Sequence, residues 1–218
     1  MFGRGFDLQQ IILTIPAILI GFTFHEYAHA KMADKLGDKT PRFQGKLTLN
    51  PFVHIDLLGF LFILIAGIGW AKPVETNPSA FKRYYKDDLK VSLAGPIANF
   101  IVAVVAAVLY GIYLKFVFPI IGSGALAVVL KQIIEYTLTV NVMLFIFNLI
   151  PLPGFDGAHI LRDLWPKTFY KYEGTMYKYR YIILLAILFI PIVSNIIFKP
   201  IQLLTNLLLG ISKLIMFL

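Results

Sequence analysis

Long apolar runs broken by short polar stretches set the pattern of this chain. Five of them stand out, at 8–24, 91–117, 125–150, 181–198 and 201–218. A bilayer core needs about 20 apolar residues per helix, and these runs reach or approach that length, so the pattern predicts five spanning helices. Pro191 and Pro200 fall in the last two, where a proline removes a backbone donor and kinks or breaks a helix. A shorter apolar stretch, 55–70, has 16 residues and contains Gly59, Gly67 and Gly69. It is short for a span and breakable, and reads as a dip that enters and returns on one side. Non-helical backbone at that depth must be buried in protein or line a wet cavity, which predicts a hollow there. The expected fold is an all-α polytopic membrane protein. It has five to six transmembrane helices and a membrane-embedded re-entrant or β-hairpin element, all in one integral-membrane domain over 1–218.

Composition agrees with that pattern. The chain is 58% hydrophobic and only 15% charged, so its main solvent is lipid. The first run lacks a small-residue cleavage site and continues into a polar motif, so no cleavable signal peptide is expected. The absence of cysteine excludes disulfides and thiol catalysis.

The net charge of +8 changes the picture only through its distribution. Lys31, Lys35, Lys39, Arg42 and Lys46 follow the first run. Lys72, Lys82, Arg83, Lys86 and Lys90 precede the second. Arg162, Lys167, Lys171, Lys178 and Arg180 follow the third. Lysine and arginine collect in cytoplasmic loops, so all three clusters become cytoplasmic if 55–70 returns. The N-terminus is then outside and, with five spans, the C-terminus inside. No basic run interleaves with exposed aromatics, so nucleic acid is not an expected partner; the lipid bilayer is.

Candidate chemistry begins at "FHEYAHA", 24–30. His25 and His29 are four apart, which on a helix puts both imidazoles on one face, a spacing that grips one Zn²⁺. Glu26, about 100° around the same helix, can reach water held there and act as general base. Ionisable residues inside a membrane are costly and read as functional. A catalytic zinc takes three protein ligands and keeps one position open. The stretch "NLIPLPGFDGAHI", 148–160, offers Asp156 after two helix-breaking prolines, with His159 as its rival and helix N-capping as the ordinary alternative for an Asp.

Together these motifs resemble the site-2 protease family of intramembrane zinc metallopeptidases, in a compact form without a PDZ or CBS domain. "FHEYAHA" is similar to the family's first motif, "SLAGPIANF" (92–100) to its small-residue helix motif, and "NLIPLPGFDG" (148–157) to its Asn…Pro…Leu-Asp-Gly element, with Phe155 where Leu is usual. "LTLNPFVHID" (47–56) and "GWAKPV" (69–74) resemble further surroundings of the same subgroup. The resemblance implies one Zn²⁺ per chain, with His25, His29 and Asp156 as ligands and Glu26 activating water. It also implies that Asn148 orients the substrate carbonyl or stabilises the oxyanion.

Asn99 is a candidate for substrate contact or helix packing, and Gly95 with Ala94 would allow close helix approach. Gly69, Trp70, Ala71, Lys72 and Pro73 resemble an embedded edge strand that pairs with an unwound substrate, a transmembrane protein or peptide; Trp70 and Lys72 also suit interfacial anchoring. His54 is expected to satisfy loop backbone groups. The implied activity is endopeptidase cleavage within or beside a membrane segment, in a bacterial or archaeal cell membrane with the site toward the cytoplasm. A divalent-metal transporter and an inactive zinc-binding homologue are the alternatives. A transport path would spread polar sites across depth, whereas here they gather at one.

Overall fold

The computed structural model describes residues 8–66 and 69–217; Gly67, one of the glycines that make the short stretch breakable, lies outside them. The helices are α1 (Leu8–Leu36), α2 (Thr40–Phe43), α3 (Pro51–His54), α4 (Leu57–Ala66), α5 (Tyr84–Ile112), α6 (Phe118–Ile121), α7 (Ala125–Asn148), α8 (Asp156–Leu164), α9 (Pro166–Phe189) and α10 (Pro191–Phe217). A π-helical stretch, Tyr113–Val117, joins α5 to α6.

Four helical stretches are long and apolar enough to cross a membrane: α1, α5 through α6, α7 and α10. The fold of the described residues is thus all-helical, with four candidate membrane spans against the five expected. The difference lies in the run 181–198. Ile190 is extended (φ −93°, ψ 112°) and Pro191 opens the next helix, so the run is divided at a proline instead of forming a span. Its first part ends α9, whose earlier residues are polar, and its second begins α10, which continues through Pro200.

Small residues make the central seam. Ala103, Ala106 and Ala107 of α5 pack with Leu138 and Val142 of α7 and Ile201 and Leu208 of α10. Lipid supplies no hydrophobic drive between helices, so close van der Waals approach and interhelical hydrogen bonds hold such a bundle. Ser212 supplies one, its hydroxyl donating to the Ala107 carbonyl at 2.7 Å. The rings of Phe198 and Phe147 meet at 6.1 Å. Helix α10 therefore runs from the C-terminal end of α7 toward the C-terminal end of α5. Its own C-terminal end lies beside Ala107 and Gly111 at the end of the bundle opposite the basic residues 82–90, not on their side as expected.

The two ends of the stretch 55–70 meet. Ile55 and Ala71 form an antiparallel bridge, and the Lys72 N–H donates to the His54 carbonyl at 2.9 Å. Between them α4 has 10 residues, about 15 Å of helix, half a bilayer core. Phe60 and Ile63 pack on Ala17, Ile18 and Val140, so α4 lies against α1 and α7. The expected β-hairpin is reduced to this single bridge; no strand forms among the described residues.

Candidate metal centre

Helix α1 carries His25, Glu26 and His29, all under 9% exposed. The third donor arrives from far along the chain. Pro151 and Pro153 follow the end of α7, and α8 begins at Asp156. Gly157 permits that start, because a Cβ there would lie 2.5 Å from the Leu149 carbonyl oxygen.

The donors converge. His25 Nε2 lies 3.1 Å from Asp156 Oδ2, His29 Nε2 lies 3.3 Å from Asp156 Oδ1, and the two Nε2 atoms are 3.0 Å apart. Ligands held about 2.0–2.1 Å from a tetrahedral Zn²⁺ stand about 3.3–3.4 Å from one another, so the triangle has metal dimensions. Its protonation agrees. His29 Nδ1 is 2.7 Å from the Val91 carbonyl oxygen, which only accepts, so Nδ1 carries the proton. His25 Nδ1 is 2.7 Å from Asn99 Oδ1. The Asn99 amide donates to the Gly21 carbonyl and to Asn141 Oδ1, both at 2.9 Å, which identifies Oδ1 as the atom facing His25. Both Nε2 atoms are left with lone pairs, and Asp156 Oδ2 makes no hydrogen bond. Three buried lone-pair donors turned on one another repel unless a cation lies between them, so these residues fit a divalent metal.

Helix α5 builds the wall behind this triangle. A Cβ at Gly95 would lie 2.7 Å from His25 Nε2 and closer still to His29 Nε2. Val91 and Asn99 on the same helix fix the two rings. Such outer hydrogen bonds set tautomer and orientation at metal sites. Asp88 pairs with Arg162 of α8, which also binds Asp163 at 2.8 Å, fastening the aspartyl helix to α5.

Glu26 Oε2 accepts the Val74 N–H at 2.9 Å. The segment 69–74 thus passes over the candidate base, with Trp70, Lys72 and Pro73 exposed and Gly69 and Ala71 half-buried. Of the two readings of Asn99, the packing one fits its surroundings: it is 0% exposed, and its amide hydrogens and oxygen bind protein groups. Asn148 is half-buried, with Nδ2 donating to the Leu144 carbonyl at 3.0 Å. His54 is fully buried with Nε2 2.8 Å from the Thr48 carbonyl oxygen, the expected backbone role. His159 is exposed and lines a cavity with Arg162, Tyr170 and Glu173, so it is no rival to Asp156.

Sequence reasoning missed Lys46, Val74, Asp88 and Arg162. The only signal for the charged pair was an acidic residue heading an apolar helix. Lys46 is 5% exposed, donating to the Val53 and Lys72 carbonyls at 3.0 and 3.2 Å.

Residues 113–191 match Peptidase family M50. YwhC of Bacillus subtilis is 36% identical over 195 residues, covering 88% of this chain and 87% of that protein. Rip2 of Mycolicibacterium smegmatis is 31% identical over 163 residues, 72% of this chain and 59% of its own length. MJ0611 of Methanocaldococcus jannaschii is 28% identical over 160 residues, 72% of this chain and 73% of that protein. All three are named, provisionally, as zinc metalloproteases. No solved structure is a significant match. A HExxH helix, a distant aspartate at ligand distance and 36% identity over most of the chain thus lead to one assignment: the chain belongs to Peptidase family M50, the site-2 protease family, and is a zinc metalloprotease.

Proposed function

We propose that the protein is an intramembrane endopeptidase that holds one zinc ion through His25, His29 and Asp156. It hydrolyses a peptide bond within or beside the membrane segment of a substrate protein. The observation that carries this reading is the convergence of three lone-pair donors and a buried carboxylate on a helix apolar enough to span a bilayer. His25 lies about 26 Å along α1 from Leu8 at about 1.5 Å per residue, toward the end where the basic clusters gather. That placement supports a site open to cytoplasmic water in a bacterial or archaeal cell membrane.

A zinc ion supplies, when bound, acidification of a water and polarisation of the scissile carbonyl. The chain's own residues do the rest. Glu26 accepts the water's proton and delivers it to the leaving amine; Val74 N–H holds Oε2, leaving Oε1 for that work. A transmembrane helix hides its carbonyls in its own hydrogen bonds, so cleavage needs local unwinding, and freed backbone groups in lipid need partners. The edge 69–73, exposed at Trp70, Lys72 and Pro73, provides them by strand addition. Asn148 keeps a second amide hydrogen beyond the one given to Leu144, and that donor serves the substrate oxyanion.

The test is cleavage of a panel of single-pass substrates by purified protein. General-base catalysis contributes roughly 100- to 10,000-fold, so Glu26→Gln loses that much activity while retaining zinc, and chelation abolishes cleavage until zinc is restored. Cleavage indifferent to both treatments overturns the proposal. Zinc flux in liposomes that survives Glu26→Gln favours a transporter instead.

A further inference from the structure

A buried lysine that the mechanism does not use lies beside the site. Lys46 sits in the loop between α2 and α3, where its own N–H donates to the Pro41 carbonyl at 2.8 Å. An ammonium out of water is tolerated only with partners. Its partners are two main-chain carbonyls, Val53 at 3.0 Å and Lys72 at 3.2 Å. These carbonyls belong to the two sides of the closure that joins the ends of 55–70: Val53 precedes His54, which accepts the Lys72 N–H, and Lys72 follows Ala71, which is bridged to Ile55. Two residues after Lys72, the Val74 N–H meets Glu26. The far end of the same segment is tied down separately, by Asp38 accepting the Asn77 N–H at 2.7 Å and by Gln44 donating to Glu75 at 2.8 Å.

We propose that Lys46 is a positioning residue for Glu26, acting through the backbone of 72–74. Its ammonium fixes the Lys72 carbonyl, the short tether to Val74 sets the height of that N–H, and the N–H aims the Glu26 carboxylate. This rests on the reading of Glu26 as general base. Burial pulls the Lys46 ammonium below its ordinary range, opposed by the negative charge of Glu26, and Lys72 pushes in the same direction as burial while Glu75 opposes it. The lysine therefore shares an electrostatic neighbourhood with the base as well as a chain of contacts. A reacting group misplaced by about 1 Å can lose about 100-fold in rate, so the lever is short enough to matter.

The experiment is a double-mutant cycle on the purified full chain with a cleavable single-pass substrate, reading kcat, KM and bound zinc. Lys46→Met keeps the length of the side chain and removes the charge. It is expected to leave zinc content and KM near wild type and lower kcat about 10- to 100-fold, with Lys46→Arg intermediate. Val74→Pro removes the N–H itself and is expected to lower kcat similarly. The double variant is then no slower than the worse single one, because both act through one contact. Where Lys46→Met does not accumulate, Lys46→Arg decides, its kcat falling at unchanged KM and zinc. Unchanged kcat, a loss confined to KM, loss of zinc, or multiplicative effects in the double variant overturn the proposal. Full cleavage by Glu26→Gln overturns both this and the reading beneath it, and so separates the two failures.

Discussion

Replacing Gly95 with alanine adds one methyl group to the wall behind the ligand triangle. At 2.7 Å from His25 Nε2 and 2.6 Å from His25 Cε1, the new Cβ falls well inside the 3.4 Å at which ordinary contact begins. The His25 ring has to retreat by about 0.8 Å, and the His29 ring by more. Neither is free to do so. Asn99 holds the first ring and the Val91 carbonyl the second, each at 2.7 Å. Metal–ligand distances tolerate only about 0.2 Å, so moving either Nε2 that far takes it out of bonding range. The alternative, parting α1 from α5, costs about 1–3 kcal/mol as overpacking does and pulls Asn99 from His25. Gly95→Ala is expected to weaken zinc binding by at least about 10- to 100-fold, the range seen when ligand-orienting contacts fail, and to lower cleavage in proportion. Competition against a zinc chelator of known affinity measures the first, turnover at saturating zinc the second, and circular dichroism checks that the helices persist. Wild-type zinc affinity with full turnover would refute the argument.

Two other substitutions probe the supports of the same triangle. Asn99→Ala leaves the His25 Nδ1 proton without its acceptor, and zinc affinity should fall about 10- to 100-fold; an unchanged affinity in the same competition assay would place Asn99 in packing alone. Asp88→Asn breaks a buried pair between α5 and α8, for which about 3–5 kcal/mol is typical. The low end is expected here because Asp163 still partners Arg162, and a thermal midpoint equal to wild type would show that α8 does not depend on that tie.

The spans α1, α5 and α7 were legible because lipid imposes one simple demand, about 20 apolar residues. The run 181–198 was less legible, because Tyr181 through Phe198 read as one apolar stretch while the backbone breaks it at Pro191. That the ends of 55–70 come together agrees with the reading from its length and glycines. The convergence of His25 and His29 was legible from helical spacing, and Asp156 stood out as a candidate partner by its place after two prolines. The contacts that tune these residues were not. Asn99 reaches His25 across 74 positions, Val91 reaches His29 across 62, and Val74 reaches Glu26 across 48. No local periodicity encodes such pairs. A buried lysine in a loop reads like any solvated one until the backbone around it is in place.

Four positions of α5 deserve to be taken together. Asp88, Val91, Gly95 and Asn99 are spaced by three, four and four, which lines them along one side of a helix. In that order they fasten α8, orient His29, admit both imidazoles and orient His25. The precision of the centre is therefore stored in the rotational setting of a single rod that contributes no ligand of its own. With Cα atoms about 2.3 Å from the axis, a twist of about 25° carries each of these positions about 1 Å sideways. Anything that turns this rod, from a bilayer of different thickness to a neighbour pressing on its lipid face, acts on all four settings in one motion.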